Sequence, residues 1–201
     1  TLGTPESRHR YRPIGINRQS QLAVLQLRPY RPQAYRAIQW MAYGSNPFNT
    51  LVPFYANVDV TPAYMADTTT RVTSENFYWE NRIIAALCDG AFADTANAVE
   101  RYQEKTGAMG HRMVAATDEQ ASRLDSAVQG EFDADNIEGD VEPMEPEAIV
   151  AAVRNGEVRD VLAAANQTMA DQLKEETDKL LDSVLYTRSM AMKNGFHMSD
   201  F

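Results

Sequence analysis

The chain has 201 residues, 44% of them hydrophobic and 23% charged, the balance of a globular protein able to bury one sizeable core. Its longest apolar runs, such as residues 83–88, fall far short of the roughly 20 residues that a bilayer span requires, so no membrane partner is expected. A net charge of −9 argues against nucleic acid as the main partner, because phosphate recognition draws on clustered Lys and Arg.

The N-terminus, Thr1-Leu2-Gly3-Thr4-Pro5, has no apolar segment behind a basic start, so no signal peptide is read there. Thr1 could act as an N-terminal hydroxyl nucleophile with its own amine as base. The basic, turn-like segment that follows it, rather than a strand, favours a chain boundary instead. Charge is unevenly spread: residues 1–36 hold seven Arg against one Glu, and residues 118–147 hold eleven acids against one Arg. Such runs are solvated faces or surfaces for different partners.

Residues 1–72 read as a strand-rich core. Residues 21–28 and 37–43 are predicted core strands separated by a Pro-containing turn. A third apolar run, 51–58, contains Pro53 and is therefore placed at a sheet edge or in an extended loop. The link between the second and third runs, Gly44-Ser45-Asn46-Pro47-Phe48-Asn49, is turn-rich and of the kind that carries function at strand ends.

From residue 73 the period changes. Thr73-Ser74-Glu75-Asn76 offers N-caps ahead of Phe77, Trp79, Ile83, Ile84 and Leu87, which predicts a helix ending near Asp89-Gly90. Helical pieces are expected over 94–105 and 111–127. An acidic loop is expected at about 130–146, followed by a long amphipathic helix, or two in series, over 158–192. Strands first and helices afterwards define an α+β chain and argue against alternating βαβ units. No glycine-rich phosphate loop supports a nucleotide cofactor.

The candidate chemistry is sparse. His9, His111 and His197 are too scattered for a metal triad. The cluster Asp133, Asp135, Glu138 and Asp140 lacks the glycine and glutamate spacing of a calcium loop. Cys88 lies in an apolar helical run with no local base, so a packing role is expected of it. Asn17 and Arg18 at the mouth of the first strand, and Asn57 after the third run, are the candidate site residues. An Arg there can hold a carboxylate bidentately and an Asn can donate to an oxyanion. The alternative, that such residues only tie down the sheet edge, stays open.

The succession Arg12-Pro13-Ile14-Gly15-Ile16-Asn17-Arg18, Val24-Leu25-Gln26-Leu27-Arg28-Pro29, Gln39-Trp40 with Gly44, and Val52-Pro53-Phe54-Tyr55-Ala56-Asn57-Val58 closely resembles the bacterial dipeptidases with an N-terminal cysteine nucleophile. Thr73, Tyr78-Trp79-Glu80-Asn81-Arg82 and Tyr102-Gln103-Glu104 extend the likeness, which covers residues 3 to about 115. Ala23 stands where members of that family often carry His. The resemblance implies part of the four-layer αββα sandwich of N-terminal nucleophile hydrolases. It also implies a dipeptide substrate, no metal or cofactor, and a cysteine thiolate with its own α-amine as proton acceptor. The matched motifs belong to the later part of the family sequence. The chain is therefore expected to be a C-terminal portion of a single catalytic domain, inactive alone and partnered by the remaining N-terminal part, with a homo-oligomer expected. Two other readings stay open: a non-catalytic assembly or binding module, and an amide-hydrolysing acylase of the same superfamily.

Overall fold

The computed structural model describes residues 19–45, 47–131 and 146–192; for the helical residues 125–131 and 146–155 only the backbone is described. Three strands, β1 (Gln21–Leu27), β2 (Ala37–Tyr43) and β3 (Val52–Tyr55), precede a 3-10 turn at Ala63–Met65 among the described residues. Three helices follow, α1 (Phe77–Asp89), α2 (Phe92–Glu131) and α3 (Pro146–Met190). The chain is α+β, as the change of period predicts.

The strands form one antiparallel sheet in the order β1-β2-β3, with Ala23 opposite Met41 and Trp40 opposite Pro53. This register puts Met41, Val52 and Phe54 on one face and Ile38 and Tyr55 on the other. Each face enters its own apolar cluster. The first packs against Phe77, Ile84, Met169 and Leu173. The second packs against Ala121, Val158 and Leu162. β3 is thus buried on both faces although it ends the sheet.

Its free edge is closed by side chains rather than by another strand. Asn166, on the buried stripe Leu162-Asn166-Met169-Leu173 of α3, accepts from the Tyr55 backbone N–H at 2.8 Å and donates to the Tyr55 carbonyl at 3.0 Å. One amide thereby reproduces the pair of bonds a neighbouring strand residue would make. Pro53 is two residues away on the same side of the strand, so its missing N–H leaves no buried donor at that edge. The proline's expected edge position holds for this reason.

Helix boundaries differ from the sequence reading in an informative way. α1 starts where expected, with the Asn76 side chain accepting from Trp79 N–H at 3.5 Å. The two pieces expected over 94–105 and 111–127 are one continuous helix, α2, running through Gly107 and Gly110. Gly110 does not interrupt the helix; it allows its backbone to lie against β3. A Cβ added there would sit 2.5 Å from Pro53 Cδ and 3.0 Å from Cγ. α3 likewise begins at Pro146, earlier than 158, and runs unbroken to Met190. The acidic segment expected as a loop at 130–146 is helical at its two ends, and 132–145 lie outside the described residues.

β1 departs from expectation more sharply. Read as a core strand, it is exposed at all seven positions, with Leu25 77% and Leu27 75% exposed. Apolar side chains occur on both of its faces, so burying it requires cover on both sides, and among the described residues the helices reach β2 and β3 but not β1. Its outer edge is also unpaired in the described sheet.

Two substitutions test the packing at β3. Asn166→Ala leaves the buried N–H and C=O of Tyr55 unpaired, and urea unfolding should show a loss of about 2 kcal/mol or more. Gly110→Ala gains about 1 kcal/mol of helix propensity but overpacks the proline ring, which costs about 1–3 kcal/mol. Net destabilisation in the same assay is the expected outcome; a stabilised Gly110→Ala would show that the contact yields freely.

Candidate functional site

Three groups of polar side chains stand out among those that the fold buries. The first lies where the β1–β2 hairpin meets α2. Arg28, just past β1, is 4% exposed and Asp118, on the inner face of α2, is 3% exposed. Their bonds are bidentate, Nη1 to Oδ2 at 2.5 Å and Nη2 to Oδ1 at 3.0 Å. Arg28 Nη2 also donates to the Tyr35 carbonyl at 2.6 Å. The Tyr55 hydroxyl donates to Asp118 Oδ1 at 2.8 Å, and Arg31 Nε approaches Oδ2 at 3.2 Å. Burial, and then the bond to Asp118, pushes the Tyr55 phenol above its ordinary range.

The second group joins α1 to α3. Glu80 falls on the apolar stripe Phe77-Glu80-Ile84 of α1 and is 0% exposed. Its Oε2 accepts from the Tyr64 hydroxyl at 2.5 Å, while Oε1 has no partner among the described residues. Tyr102 meets Thr177 at 2.9 Å, and Thr177 in turn donates to the Leu173 carbonyl at 2.7 Å. Lys174 lies 5.7 Å from the Tyr64 ring centre and pairs with Asp178 at 2.9 Å. Burial raises the Glu80 carboxyl to about 8, with nearby Asp178 adding to the shift and the Tyr64 bond and Lys174 opposing it.

The third group stiffens the turn-rich link after β2. Gly44 takes φ +80, a conformation that favours glycine, and the position a Cβ would occupy there is 3.0 Å from Asn81 Cβ. Asn49 Nδ2 donates to the Tyr43 carbonyl at 3.0 Å, and Gln103 Nε2 donates to the Asn49 carbonyl at 2.7 Å. Arg82 Nη1 donates to Ser45 Oγ at 3.3 Å. Gly44 N–H bonds to the Ser20 carbonyl at 3.0 Å, so this rigid link and the start of β1 share one end of the sheet.

From Gln21 and Tyr43 at that end, past Gln39 and Phe54, to Ala56 and Val58 on either side of Asn57, the sheet borders a cleft of about 360 Å³ lined by no charged side chain among the described residues. It offers amide and hydroxyl groups over an apolar floor, the lining of a site that orients a neutral group. Among the described residues it is lined by no serine or cysteine. Cys88 is buried in the core and desolvation pushes its thiol up, away from the reactive thiolate. His111 packs tilted against Trp40 at 5.0 Å between ring centres. No three His, Cys, Asp or Glu side chains converge among the described residues.

Asn17 and Arg18, the first two candidates named from sequence, lie outside the described residues. Asn57 is described. Its Nδ2 donates to the Ala34 carbonyl at 2.8 Å and its Oδ1 accepts from Arg159 Nε at 3.2 Å. That places Asn57 at the hairpin end of the sheet, whereas Ser20 and Gly44 are at the other end, the length of β2 away. Arg28, Asp118, Glu80 and Asn166 were missed as a class. The signal was available: Asp118, Glu80 and Asn166 are each a polar residue interrupting an apolar helical stripe, and a polar group so placed must find a buried partner.

The architecture defines the class first: an α+β chain that carries a rigid sheet end and an uncharged cleft, with no nucleophile at that cleft among the described residues. Residues 1–105 match the model of peptidase family C69. The whole chain is 77% identical to a dipeptidase of Bifidobacterium longum (strain NCC 2705), covering 39% of that protein. It is 40% identical over 98% of its length to probable dipeptidase A of Streptococcus pyogenes serotype M3, covering 36%. It is 30% identical over 91% to dipeptidase A of Lactobacillus helveticus, covering 32%. The chain belongs to peptidase family C69, and it spans about two-fifths or less of the length of these relatives.

The pH dependence of Glu80 can be checked directly. The folded carboxyl titrates near 8 against an ordinary value of 4.5. Its contribution is therefore complete below about 4.5 and is lost as pH rises towards 8. Stability of the chain, measured by urea unfolding at intervals from pH 5 to 9, should fall across that window. Glu80→Gln should flatten the fall.

Proposed function

We propose that this chain is the later portion of a dipeptidase whose catalytic cysteine lies in polypeptide outside it. The observation that carries the reading is the exposed strand β1, in a chain of a peptidase family whose relatives named above are more than twice as long. In this reading further strands join the sheet through β1, and a second sheet and helix layer complete an αββα sandwich. The Gly44–Ser20 end of the sheet then borders the site.

The reaction follows from a thiolate and a peptide carbonyl. The sulfur adds to the carbonyl carbon, the C–N bond breaks, and the proton held by the terminal α-amine passes to the departing amine. Water then cleaves the thioester, releasing the second amino acid and restoring the thiol. No metal or cofactor enters this scheme. Arg18 is the residue assigned to the substrate carboxylate or oxyanion, supported by Asn17. Asn57 supports from farther off, through the loop it ties to Ala34 and Arg159. The cytoplasm, where the thiol stays reduced, is the compartment this chemistry suits.

The test is to express the chain together with its upstream polypeptide and follow release of free amino acids from dipeptides. Activity should appear, resist chelators and be abolished by thiol alkylation, while Cys88→Ala leaves it intact. Arg18→Ala should lower kcat/KM by about ten-fold or more, roughly 1.4 kcal/mol in the barrier. Full turnover in that variant removes Arg18 from the site. Cleavage of N-acylated amides but not of dipeptides would favour an acylase.

A further inference from the structure

α2 and α3 lie antiparallel. Tyr102 meets Thr177 and Lys105 pairs with Glu176 at one end, and Ala121 clusters with Val158 and Leu162 at the other. On the side of this pair turned away from the sheet, the helices leave a furrow of about 720 Å³. The sheet-facing positions of α2 are Gly110, Val114 and Asp118, which meet Pro53 and Tyr55. The furrow is lined one step round the helix, by Met109, Met113 and Ala116, and from α3 by Val161, Ala164 and Ala165.

Three observations bear on what covers this furrow. Small side chains at Ala116, Ala164 and Ala165 let another backbone approach closely, over a floor formed by two methionines. Apolar residues on α3 are not confined to its inner stripe, which is the pattern of a helix covered on more than one side. The furrow also has charge at two diagonal corners only. Arg112 lies on the α2 wall towards the Tyr102–Thr177 end, and Asp160 lies on the α3 wall towards the Ala121–Val158 end. Both are exposed, and neither makes a hydrogen bond or ion pair among the described residues.

A second copy laid face to face, related by a two-fold axis across the helices, reverses the furrow end for end. Each end then holds one guanidinium and one carboxylate, one from each copy, so the face is complementary to itself. We propose that the α2–α3 furrow is the contact surface between two copies of this chain, packed as a four-helix layer. The missing polypeptide of the longer protein is the weaker candidate, because β1 offers it an unpaired edge and two uncovered faces away from this furrow. The inference is independent of the catalytic reading.

Sedimentation equilibrium of the chain should show a dimer, with helix content followed by circular dichroism. Ala164→Arg blocks the furrow and should weaken dimerisation at least ten-fold with helicity retained. Should that variant unfold, the exposed charges give a second measurement. Arg112→Asp alone and Asp160→Arg alone should each weaken the dimer, and the two together should restore it. A monomeric chain overturns the proposal, as does a dimer indifferent to these changes. A dimer abolished by Leu25→Lys in β1 but not by Ala164→Arg overturns it as well and assigns the contact to the open strand. Loss of dimer in the longer protein with the upstream polypeptide present would show that this polypeptide fills the furrow instead.

Discussion

A single carboxylate, Asp118, holds the two halves of this chain together. It is buried on α2, and without Arg28 it would keep only the more exposed Arg31 and the Tyr55 phenol as partners, an incompletely compensated charge in the interior. With Arg28, Arg31 and Tyr55 converging on it, the β1–β2 hairpin end and β3 are fixed to the same turn of one helix. The register of the sheet against the helices follows from that point. Asn166 closes the β3 edge from α3, and Gly110 sets how near α2 can come. An apolar contact could slide by a turn. A bidentate pair with a phenol as third partner cannot, so this polar knot specifies position where hydrophobic packing alone supplies only attraction.

The order of elements was legible in the sequence because period is a local property. A run after a Pro-containing turn marked β2, the asparagine cap marked the start of α1, and Pro53 marked an edge strand. The length of α2 was not legible. Glycine lowers intrinsic helix propensity, so Gly107 and Gly110 read as a break, and only the approach of Pro53 shows why the second of them is a glycine. The exposure of β1 was hidden for the opposite reason. Its three leucines and Val24 read as core residues, but sequence does not say against which layer they would pack. Of the candidate site, the stiffened link at residues 44–49 was seen as turn-rich, whereas the partners that stiffen it, Arg82 and Gln103, are 37 and 54 residues away from the atoms they hold.

Buried polar groups in this fold play two different roles. The Arg28–Asp118 knot is saturated with partners and rigid. Glu80 and Asn81 on α1 are not: Glu80 Oε1 and both amide atoms of Asn81 lack partners among the described residues. Burial keeps Glu80 largely protonated at neutral pH, which lowers the cost of its position without removing it. The first turns of α1 therefore place two incompletely bonded polar side chains near the Gly44 link. The helix is held in place chiefly by Phe77, Ile84 and Cys88 in the core.

Trp40 has an optical consequence. Its indole N–H donates to Gln26 on β1 at 2.9 Å, and its ring packs 5.0 Å from the imidazole of His111 on α2. One chromophore thus touches the open strand on one side and the helical layer on the other. The second tryptophan, Trp79, is bonded to the Thr69 carbonyl at 2.6 Å, well away from β1. Emission from Trp40 is therefore a built-in gauge of whether β1 is covered, with Trp79 as the internal reference.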